Sequence, residues 1–438
     1  MCAVEVEENT LWSNVTPAAA GLAKLTGVHD AEIAIVGGGV AGISLAYHLA
    51  EAGMAPVVLE AATPGSDAAG KSAGVIASLP VRHSPYEILE RYGDKKGRRL
   101  VDMVGESGKY VFSLAQKLVL DCAPQQTGFL APARTVQEVE RVNKTASEWR
   151  SFGYGVQSVD KDAINRLTGL DTYQGALLDP AGGAINPLAY VRELARAAAG
   201  QGARVYIDSP VMNLHKSGTG WRLESDNYTV NASKVVLCAG GGNCNLSAGL
   251  ARTVLPFRVF QMATEPLDMK IREVILPENH AMTDVSPNIF SLRYDRDGRL
   301  ITACPAFLFN NDKSRIIRFV EERLRNFSPL LETARIRYLW EGTPWIGRSV
   351  LPRVTGLSQG LLAVQACNGR GLAINTILGR EVAGFIKQGH TENLNLSIEK
   401  PDPVRYHGLM SYLPAILVNS ARLRSRMMHK FTGLHRYT

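Results

Sequence analysis

Residues 32–60 constrain this chain more than any other part of the sequence. Residues 32–36 (Glu-Ile-Ala-Ile-Val) predict a short buried strand, and a turn with the spacing Gly-x-Gly-x-x-Gly follows at 37–42. Residues 43–52 have helical periodicity and end before a glycine, and residues 57–60 predict the next strand. A glycine turn set between a strand and a helix in this way is typical of dinucleotide-binding α/β domains.

Each conspicuous residue of this unit has a physical role. Gly37 permits a tight turn, Gly39 lets the backbone approach a pyrophosphate, and Gly42 lets helix and strand pack closely. The helix N-terminus faces the phosphate charge. Glu60 ends the second strand and can accept hydrogen bonds from both ribose hydroxyls. Further contacts with the dinucleotide are predicted for Val40, Ala41 and Ala61.

A second glycine loop near the end of the chain distinguishes FAD from NAD. Residues 361–366 predict a buried strand, 367–371 (Cys-Asn-Gly-Arg-Gly) a loop, and 372–387 a helix. The N–H groups and partial positive charge of that helix N-terminus would favour the anionic reduced flavin. We therefore expect FAD as the cofactor, with this loop contributing Asn368, Gly369, Arg370, Gly371 and Leu372.

The order of predicted elements indicates an α/β fold. We expect a Rossmann-like FAD-binding domain of the glutathione-reductase type, into which an α+β substrate domain built on an antiparallel sheet is inserted. The predicted FAD-binding domain comprises residues 30–83, 174–245 and 350–400. The predicted substrate domain comprises residues 84–173 and 246–349. Residues 1–29 would form an N-terminal leader and residues 401–438 a basic C-terminal extension.

Charge and composition exclude several classes of protein. The net charge is +7, and six basic residues follow Asp402, the last acidic residue, so the body of the chain is nearly neutral and nucleic-acid binding is not expected. No stretch of apolar residues is long enough to span a membrane, and residues 1–30 have the wrong charge pattern for a presequence. Six cysteines without a CxxC pair predict reduced thiols, no metal site and a cytoplasmic enzyme.

Several short segments carry a resemblance that runs almost from end to end. They are residues 31–39 (Ala-Glu-Ile-Ala-Ile-Val-Gly-Gly-Gly), 182–187 (Gly-Gly-Ala-Ile-Asn-Pro), 264–267 (Thr-Glu-Pro-Leu), 297–300 (Asp-Gly-Arg-Leu) and 340–343 (Trp-Glu-Gly-Thr). In these segments the chain resembles the D-amino-acid oxidase (DAO) family of FAD-dependent oxidoreductases. It is most similar to the branch with glycine oxidase, monomeric sarcosine oxidase and gamma-glutamylputrescine oxidase.

Two loops depart from the pattern of that family. The second flavin loop usually reads Gly-Ala-Ser-Gly-Arg-Asn-Gly-Gly, whereas residues 67–74 are Asp-Ala-Ala-Gly-Lys-Ser-Ala-Gly, which puts Lys71 in place of the arginine. The C-terminal loop usually reads Gly-Tyr-Ser-Gly-His-Gly, and here Arg370 replaces the histidine. The retained glycines imply that FAD still binds. Some relatives attach flavin to a cysteine in the segment that corresponds to the surroundings of Trp340, and no cysteine occurs there, so non-covalent FAD is expected. The resemblance implies further FAD contacts from Ala69, Gly70, Lys71, Ser72, Gly74, Val75, Val211, Ala239 and Gly240.

The resemblance also implies the chemistry. The expected enzyme is an oxidase that transfers a hydride from the α-carbon of an amine or amino-acid derivative to flavin N5, after which the imine is hydrolysed and O2 is reduced to H2O2. Two alternatives stay open, namely an FAD-dependent dehydrogenase of a 2-hydroxy acid or similar C–O substrate, and a flavin-bound, non-catalytic assembly subunit.

Three side chains are candidates for the catalytic site. Arg370 suits a substrate carboxylate or negative charge at the flavin, with a pairing to a structural acid as the alternative, and Lys71 would keep a cation over the flavin. Strand alternation allows only one of Arg293 and Tyr294 to face the pocket, and we favour Tyr294. The resemblance places Lys71 and Arg370 on the two loops that flank the flavin and Arg348 on the segment entering it, and only Asp67 in those loops offsets them, so we expect a substrate that carries an anion.

The remaining candidates have competing structural interpretations. Arg348 could bind substrate or form a salt bridge, Trp340 and Trp345 could wall the pocket or belong to the core, and His83 is expected to be structural. Cys238 and Cys244 are expected to be structural thiols. The extension after residue 408 is expected to pack against the body of the protein, with contact to an anionic membrane surface or a partner as alternatives.

Overall fold

The computed structural model of the chain describes residues 6–7, 9–19, 21–80, 82–286, 289–365, 368–389, 395 and 397–432, with side chains to residue 423. These residues form two large sheets with helices packed against them. The α/β class and the second, largely antiparallel sheet are as predicted.

The first sheet is built around parallel strands. Gly27–Val36 pairs in parallel with Val57–Leu59 on one side and with Tyr228–Leu237 on the other, and Leu361–Gln365 lies parallel beside the latter. Across the sheet the order is Ala23–Lys24, Arg204–Ile207, Val57–Leu59, Gly27–Val36, Tyr228–Leu237, Leu361–Gln365, Arg353–Ser358 and Ile398–Glu399. Gly220–Glu224 also pairs with Tyr228–Leu237, and Asn213–Ser217 pairs with Gly220–Glu224. The carboxyl ends of the central strands therefore meet at one edge.

The second sheet is antiparallel except for the pairing of Phe129–Ala133 with Ala281–Thr283. Its strands in order are Ile336–Gly342, Val259–Pro266, Arg299–Pro305, Ser291–Tyr294, Ala281–Thr283, Phe129–Ala133, Gly175–Asp179 and Gln157–Val159. Gly175–Asp179 falls inside the segment 174–245 that we assigned to the FAD-binding domain, but it pairs with Phe129–Ala133 in this sheet. The change of domain therefore comes after this strand.

Two short pairs of strands and the helices complete the fold. The pairs are Val75–Ile76 with Gly183–Ala184 and Val254–Pro256 with Trp345–Gly347. The α-helices are Leu11–Val15, Val40–Glu51, Pro85–Tyr92, Asp94–Lys117, Val136–Ser151, Lys161–Thr168, Pro187–Gly200, Asn243–Leu246, Met269–Arg272, Lys313–Phe327, Gly371–Gln388, His407–Met410 and Leu413–Thr432, and the 3-10 helices are Gly240–Gly242 and Pro329–Leu331. Among the described residues, no helix is long and apolar enough to cross a membrane.

The leader joins the two parts of the molecule. Ala23–Lys24 adds an edge strand to the first sheet. The helix Leu11–Val15 buries Leu11 and Trp12 in a small core with Leu188, from the first part, and Trp340, from the second. Burying these large side chains favours one fixed arrangement of the leader.

Candidate active site

The first glycine turn has the form that a bound pyrophosphate requires. Gly37 has φ +107°, and a Cβ there would lie 2.9 Å from the backbone of Ala239, while a Cβ on Gly42 would lie 2.0 Å from the Gly37 carbonyl oxygen. Both positions therefore need glycine for the fold itself. A Cβ on Gly39 would meet no atom of the described chain within 4 Å. The space above Gly39 is open toward a helix N-terminus that no side chain caps.

Helices of the first and last glycine loops begin at the same end of the molecule. Ser44, in Val40–Glu51, donates a hydrogen bond to the carbonyl of Thr376, in Gly371–Gln388, over 2.6 Å. A Cβ on Gly379 would lie 2.4 Å from the Ser44 hydroxyl, which shows how closely these helices pack. Each helix follows a parallel strand of the first sheet, so two uncapped N-termini lie at the carboxyl edge of that sheet. Two such termini suit a group with anionic or electron-rich parts at both ends.

The carboxylate of Glu60 lies directly beside the first turn. Its Oε2 accepts from the backbone N–H of Gly38 over 2.6 Å, and its Oε1 accepts from the N–H of Ala62 over 2.9 Å. Burial raises the pKa of Glu60 above its ordinary value, and the two N–H donors oppose this shift. Each oxygen keeps a lone pair for a ribose hydroxyl, so the residue is held where the sequence predicted an acceptor.

The raised pKa of Glu60 predicts acid-dependent loss of FAD. Ribose hydroxyls donate to the ionised carboxylate, so FAD binds the deprotonated form more tightly, and affinity should fall as the pH drops through the raised pKa. Quenching of flavin fluorescence, measured against pH, reports this affinity. The Glu60→Gln variant should bind about tenfold more weakly at neutral pH, the loss of about one charge-assisted hydrogen bond, and should lose most of the pH dependence. An unchanged pH profile in this variant would contradict the assignment.

The second flavin loop is tied to the first turn and to the second sheet. Gly65 donates to the Gly38 carbonyl over 3.0 Å, and a Cβ on Gly70 would lie 2.2 Å from the Gly65 carbonyl oxygen. Gly74 has φ +74°, with the Ile185 carbonyl 2.2 Å from where its Cβ would be. Because a side chain at Gly70 or Gly74 would collide with these carbonyl oxygens, the backbone can pack this closely only with glycine at both positions. Ala69, Ser72 and Val75 lie in the same segment, and Val75 pairs with Ala184.

Two tryptophans hold the second flavin loop from outside. Trp12 Nε1 donates to the Ser72 carbonyl over 2.8 Å, and Trp340 Nε1 donates to the Lys71 carbonyl over 2.9 Å. The two rings meet edge to face, with centroids 6.3 Å apart. Trp340 is thus a buried support of the loop, which matches the core interpretation rather than a pocket wall. Only the resemblance at residues 340–343 pointed to this segment, and nothing in the sequence paired it with the leader.

The side chain of Lys71 pairs with an acid of its own loop. Its Nζ lies 3.6 Å from Asp67 Oδ1, and the side chain is 38% exposed. An ion pair this exposed contributes little to stability and opens readily. The lysine can therefore turn toward an anion placed nearby.

The structure reverses the expected orientation of Arg293 and Tyr294. Arg293, 3% exposed, donates to the carbonyls of Ala73 and, over 2.9 Å, Ile185, so its side chain faces the second flavin loop. Burial lowers the pKa of Arg293 to about 9. Tyr294 is 1% exposed and packs in the core on the opposite side, with Arg272 5.6 Å from its ring centroid. The candidate Tyr294 thus points away from the loop, because alternation predicts that one neighbour faces inward and not which one.

The last glycine loop is held by Asn368. This residue has φ +42°, its Oδ1 accepts from the Gly347 N–H over 2.8 Å, and its Nδ2 donates to the Leu351 carbonyl over 3.0 Å. Gly369 has φ +83°, and a Cβ there would meet no described atom within 4 Å. The helix Gly371–Gln388 then starts with Gly371 and the buried Leu372, as predicted within one residue. Ala366 and Cys367 lie outside the described residues.

Arg370 begins that helix and is set in apolar surroundings. Its Nη1 donates to the Leu79 carbonyl over 2.6 Å, and its guanidinium carbon lies 5.0 Å from the centroid of the Phe129 ring. Burial lowers the pKa of Arg370 to about 10, which the nearby carboxylate of Asp179 partly offsets. Within the described part of the chain the guanidinium forms no salt bridge, and the side chain is still partly exposed. A poorly solvated cation without a salt bridge favours an anionic ligand.

Two predicted contacts, Ala239 and Gly240, follow the strand Tyr228–Leu237. Ala239 donates its N–H to Asn243 Oδ1 over 2.8 Å, and Gly240 has φ +57°. A third, Val211, is partly buried in the segment after Arg204–Ile207. Trp345 packs on Gly240 and Gly241, where a Cβ on Gly241 would collide with its ring.

The other weighed residues have structural partners. Arg348, 65% exposed, pairs with Asp402 at 3.2 Å, and His83 Nε2 lies 2.7 Å from the Ser349 carbonyl oxygen. Cys238 is a free thiol, and burial raises its pKa to about 12, so it is a poor nucleophile. Cys244 is also free. No cluster of metal-ligating side chains is present in the described ranges.

Taken together, these features define a class of protein. The parallel sheet has two glycine turns at its carboxyl edge and an acid at the end of its second strand, and an antiparallel sheet lies opposite. This combination defines a dinucleotide-dependent flavoenzyme. Residues 32–384 match the DAO family, described as FAD dependent oxidoreductase. The chain belongs to the DAO family of FAD-dependent oxidoreductases, so it is an enzyme and its cofactor is FAD.

Known proteins of similar sequence and structure agree with this assignment. Gamma-glutamylputrescine oxidoreductase of Escherichia coli (strain K12) is 28% identical over 361 residues, which cover 81% of this chain and 83% of that protein. The crystal structure of glycine oxidase from Geobacillus kaustophilus superposes with a TM-score of 0.70 at 21% identity, covering 83% of this chain and 96% of that one. The crystal structure of L-proline dehydrogenase from P. horikoshii superposes with a TM-score of 0.70 at 18% identity, covering 83% of this chain and 95% of that one. The predicted resemblance and fold are confirmed.

Proposed function

We propose that this chain is an FAD-dependent oxidase of a C–N bond, acting on an amine or amino-acid derivative that carries an anion. Membership of the DAO family gives FAD as the cofactor. The relatives named for gamma-glutamylputrescine and for glycine act on compounds with an amine nitrogen. The proposal that the substrate bears an anion rests on Arg370, whose guanidinium is poorly solvated and forms no salt bridge among the described residues. Such a group binds a carboxylate with two hydrogen bonds.

The chain's own residues would hold FAD without a covalent bond. The N-terminus of Val40–Glu51 and the open space at Gly39 suit the pyrophosphate, and Glu60 suits the ribose. The loop 368–372 suits the flavin end. When bound, FAD supplies at N5 the two-electron acceptor for a hydride from the substrate carbon.

The proposed net reaction balances with water and O2. The substrate loses a hydride from carbon and a proton from nitrogen, which leaves a C=N bond, and water then converts this imine into a carbonyl compound and an amine. O2 takes up the two electrons and two protons as H2O2. The tasks of the protein are orientation and exclusion of water, with Arg370 holding the substrate anion and Lys71 adding positive charge. Tyr294 has no part in this proposal, because its ring lies in the opposite core.

An anaerobic screen tests the proposal. The holoenzyme is mixed with N-methyl amino acids, dicarboxylic and glutamyl-type amines, putrescine and 2-hydroxy acids, and loss of the visible flavin absorbance is recorded. We expect bleaching by at least one amine with a carboxylate, and stoichiometric H2O2 when O2 is admitted.

Other outcomes of the screen separate the alternatives. Bleaching by hydroxy acids alone would support oxidation of a C–O bond. Bleaching by amines without peroxide would keep the C–N chemistry and exclude O2 as the acceptor. A flavin that no compound bleaches, in a protein that forms a stable complex with another subunit, would support an assembly role.

A further inference from the structure

One face of the C-terminal helix, Leu413–Thr432, is anchored to the body of the protein. Arg422 is 5% exposed, and its Nη2 donates to the Pro305 carbonyl over 2.7 Å. Its guanidinium carbon lies 4.6 Å from the centroid of the Phe307 ring. Asn419 contacts the Ala306 carbonyl, and Val418 is buried on the same side. The predicted packing against the body is therefore present along this face.

A second surface of this C-terminal segment, which includes the short helix His407–Met410, is apolar and exposed. Its side chains range in exposed fraction from 43% at Ile416 to 75% at Leu409. On this exposed surface Ile416 and Leu423 are seven residues apart and share one side of the helix, and Leu409 and Tyr412 come before the helix begins. This surface, called here the apolar face, consists of Leu409, Tyr412, Ile416, Leu417 and Leu423.

The loop that contacts the anchored residues carries a further exposed apolar side chain. Phe309 follows the carbonyls that Asn419 and Arg422 contact, and it is 79% exposed. The exposed Arg315 donates to the carbonyl oxygens of Phe309 and Asn310 and stacks on the Phe307 ring at 4.8 Å. An aromatic side chain is thus held out into solvent next to a cation. Leaving so much apolar area in water is costly unless something covers it.

The basic charge of the C-terminal segment indicates which kind of partner would suit the apolar face. No acidic residue follows Asp402, and the helix and its flanks carry only basic charges, at Arg405, Arg422, Arg424, Arg426, Lys430 and Arg436. Asp312, which caps the helix Lys313–Phe327, is an acid on the adjoining loop. A second copy is a poor occupant, because a two-fold contact would set this positive charge against itself. An extended, anionic partner with an apolar interior would match both the exposed apolar side chains and the basic charge.

We propose that the apolar face docks the protein on an anionic lipid bilayer, with the C-terminal helix lying in the plane of the interface. The apolar face enters the headgroup boundary, and the basic charge of the segment, apart from the buried Arg422, supplies the attraction to the anionic headgroups. The anchored face, through Arg422, joins the docked helix to the body of the enzyme. This docking is independent of the proposed oxidation chemistry.

Sedimentation of the full-length holoenzyme with vesicles tests the proposal. We expect binding to equimolar phosphatidylglycerol and phosphatidylcholine vesicles at low salt, loss of binding as salt is raised, and no binding to phosphatidylcholine alone. The double variant Ile416→Ser, Leu417→Ser should bind anionic vesicles about tenfold more weakly, because it removes apolar area without changing charge. Val136→Ser alters a 71% exposed side chain elsewhere and should bind like the wild type.

Flavin content and thermal unfolding confirm that both variants are folded. If the double variant does not fold, the salt and lipid dependence of the wild type still decides. Failure of the wild type to bind anionic vesicles at low salt would overturn the proposal, as would equal binding by the double variant. A dimer that dissociates in the double variant, shown by light scattering, would assign the face to a second copy instead.

Discussion

The Gly39→Ala variant is expected to purify as a folded but colourless protein. Gly39 has φ −76° and ψ −177°, which any residue adopts, and its Cβ would meet no described atom within 4 Å. The polypeptide therefore tolerates alanine, and the added methyl group would occupy only the space in which the pyrophosphate is expected. Losing one charge-assisted hydrogen bond and much of the helix N-terminal attraction costs about 3 kcal/mol, or about a hundredfold in the FAD dissociation constant.

Two control substitutions separate loss of FAD from loss of the fold. Gly384→Ala lies within the helix Gly371–Gln388, where a Cβ would also meet nothing within 4 Å, and it should keep full flavin content. Gly42→Ala should lose the fold as well as the colour, because its Cβ would lie 2.0 Å from the Gly37 carbonyl oxygen. Circular dichroism and visible absorbance of the three variants separate loss of fold from loss of cofactor. A yellow Gly39→Ala protein with full occupancy would show that the phosphates lie elsewhere.

The local elements were predictable because they depend on near neighbours in sequence. The strand, glycine turn and helix around 37–42 appear in the structure as Gly27–Val36 and Val40–Glu51. The strand is longer than predicted, since its polar first half is stabilised by parallel pairing with Tyr228–Leu237 rather than by burial. Pairing between distant segments leaves no local pattern, which is also why Gly175–Asp179 was assigned to the wrong side of a domain boundary.

The supporting contacts of the candidate site were not predictable for the same reason. Trp12 and Trp340 hold the second flavin loop from positions far apart in sequence, and Arg293 reaches it from the second sheet. Alternation along Ser291–Tyr294 defined two faces, but only the tertiary fold decides which face meets the loop. Asn368 was predicted as a cofactor contact, whereas its hydrogen bonds show that it also braces the loop.

The charge around the candidate substrate position is smaller than the sequence suggested. Arg348 pairs with Asp402, and Lys71 pairs with Asp67, so two of the three cations have acidic partners. Arg370 forms no salt bridge within the described residues, and burial lowers its pKa to about 10, although the nearby carboxylate of Asp179 offsets part of this shift. A cation brought to about 4 Å from it would be repelled by about 4 kcal/mol at an effective dielectric constant near 20. An anion at the same place gains a comparable amount.

The Arg370→Ala variant is therefore expected to raise KM for the best substrate steeply. Removing one partner of a buried, hydrogen-bonded charge pair costs about 2–5 kcal/mol, which corresponds to about 30-fold to a few thousandfold. Arg370→Lys keeps the charge but not the two-pronged geometry, so it should fall between the wild type and the alanine variant. Arg348→Ala removes an exposed arginine of the same charge and should leave KM within about twofold, the small effect of an exposed ion pair.

Steady-state kinetics with matched substrates distinguish substrate binding from general damage. If Arg370 pairs with the substrate anion, Arg370→Ala should lose most toward a substrate with a carboxylate and little toward the same amine with that carboxylate amidated. A merely structural role, through the bond to the Leu79 carbonyl and the contact with Phe129, would lower kcat for both substrates alike. Unchanged KM in the alanine variant would contradict the pairing. So would a wild-type preference for putrescine over every acid, because a dication could not favour a site whose unpaired charge is a guanidinium.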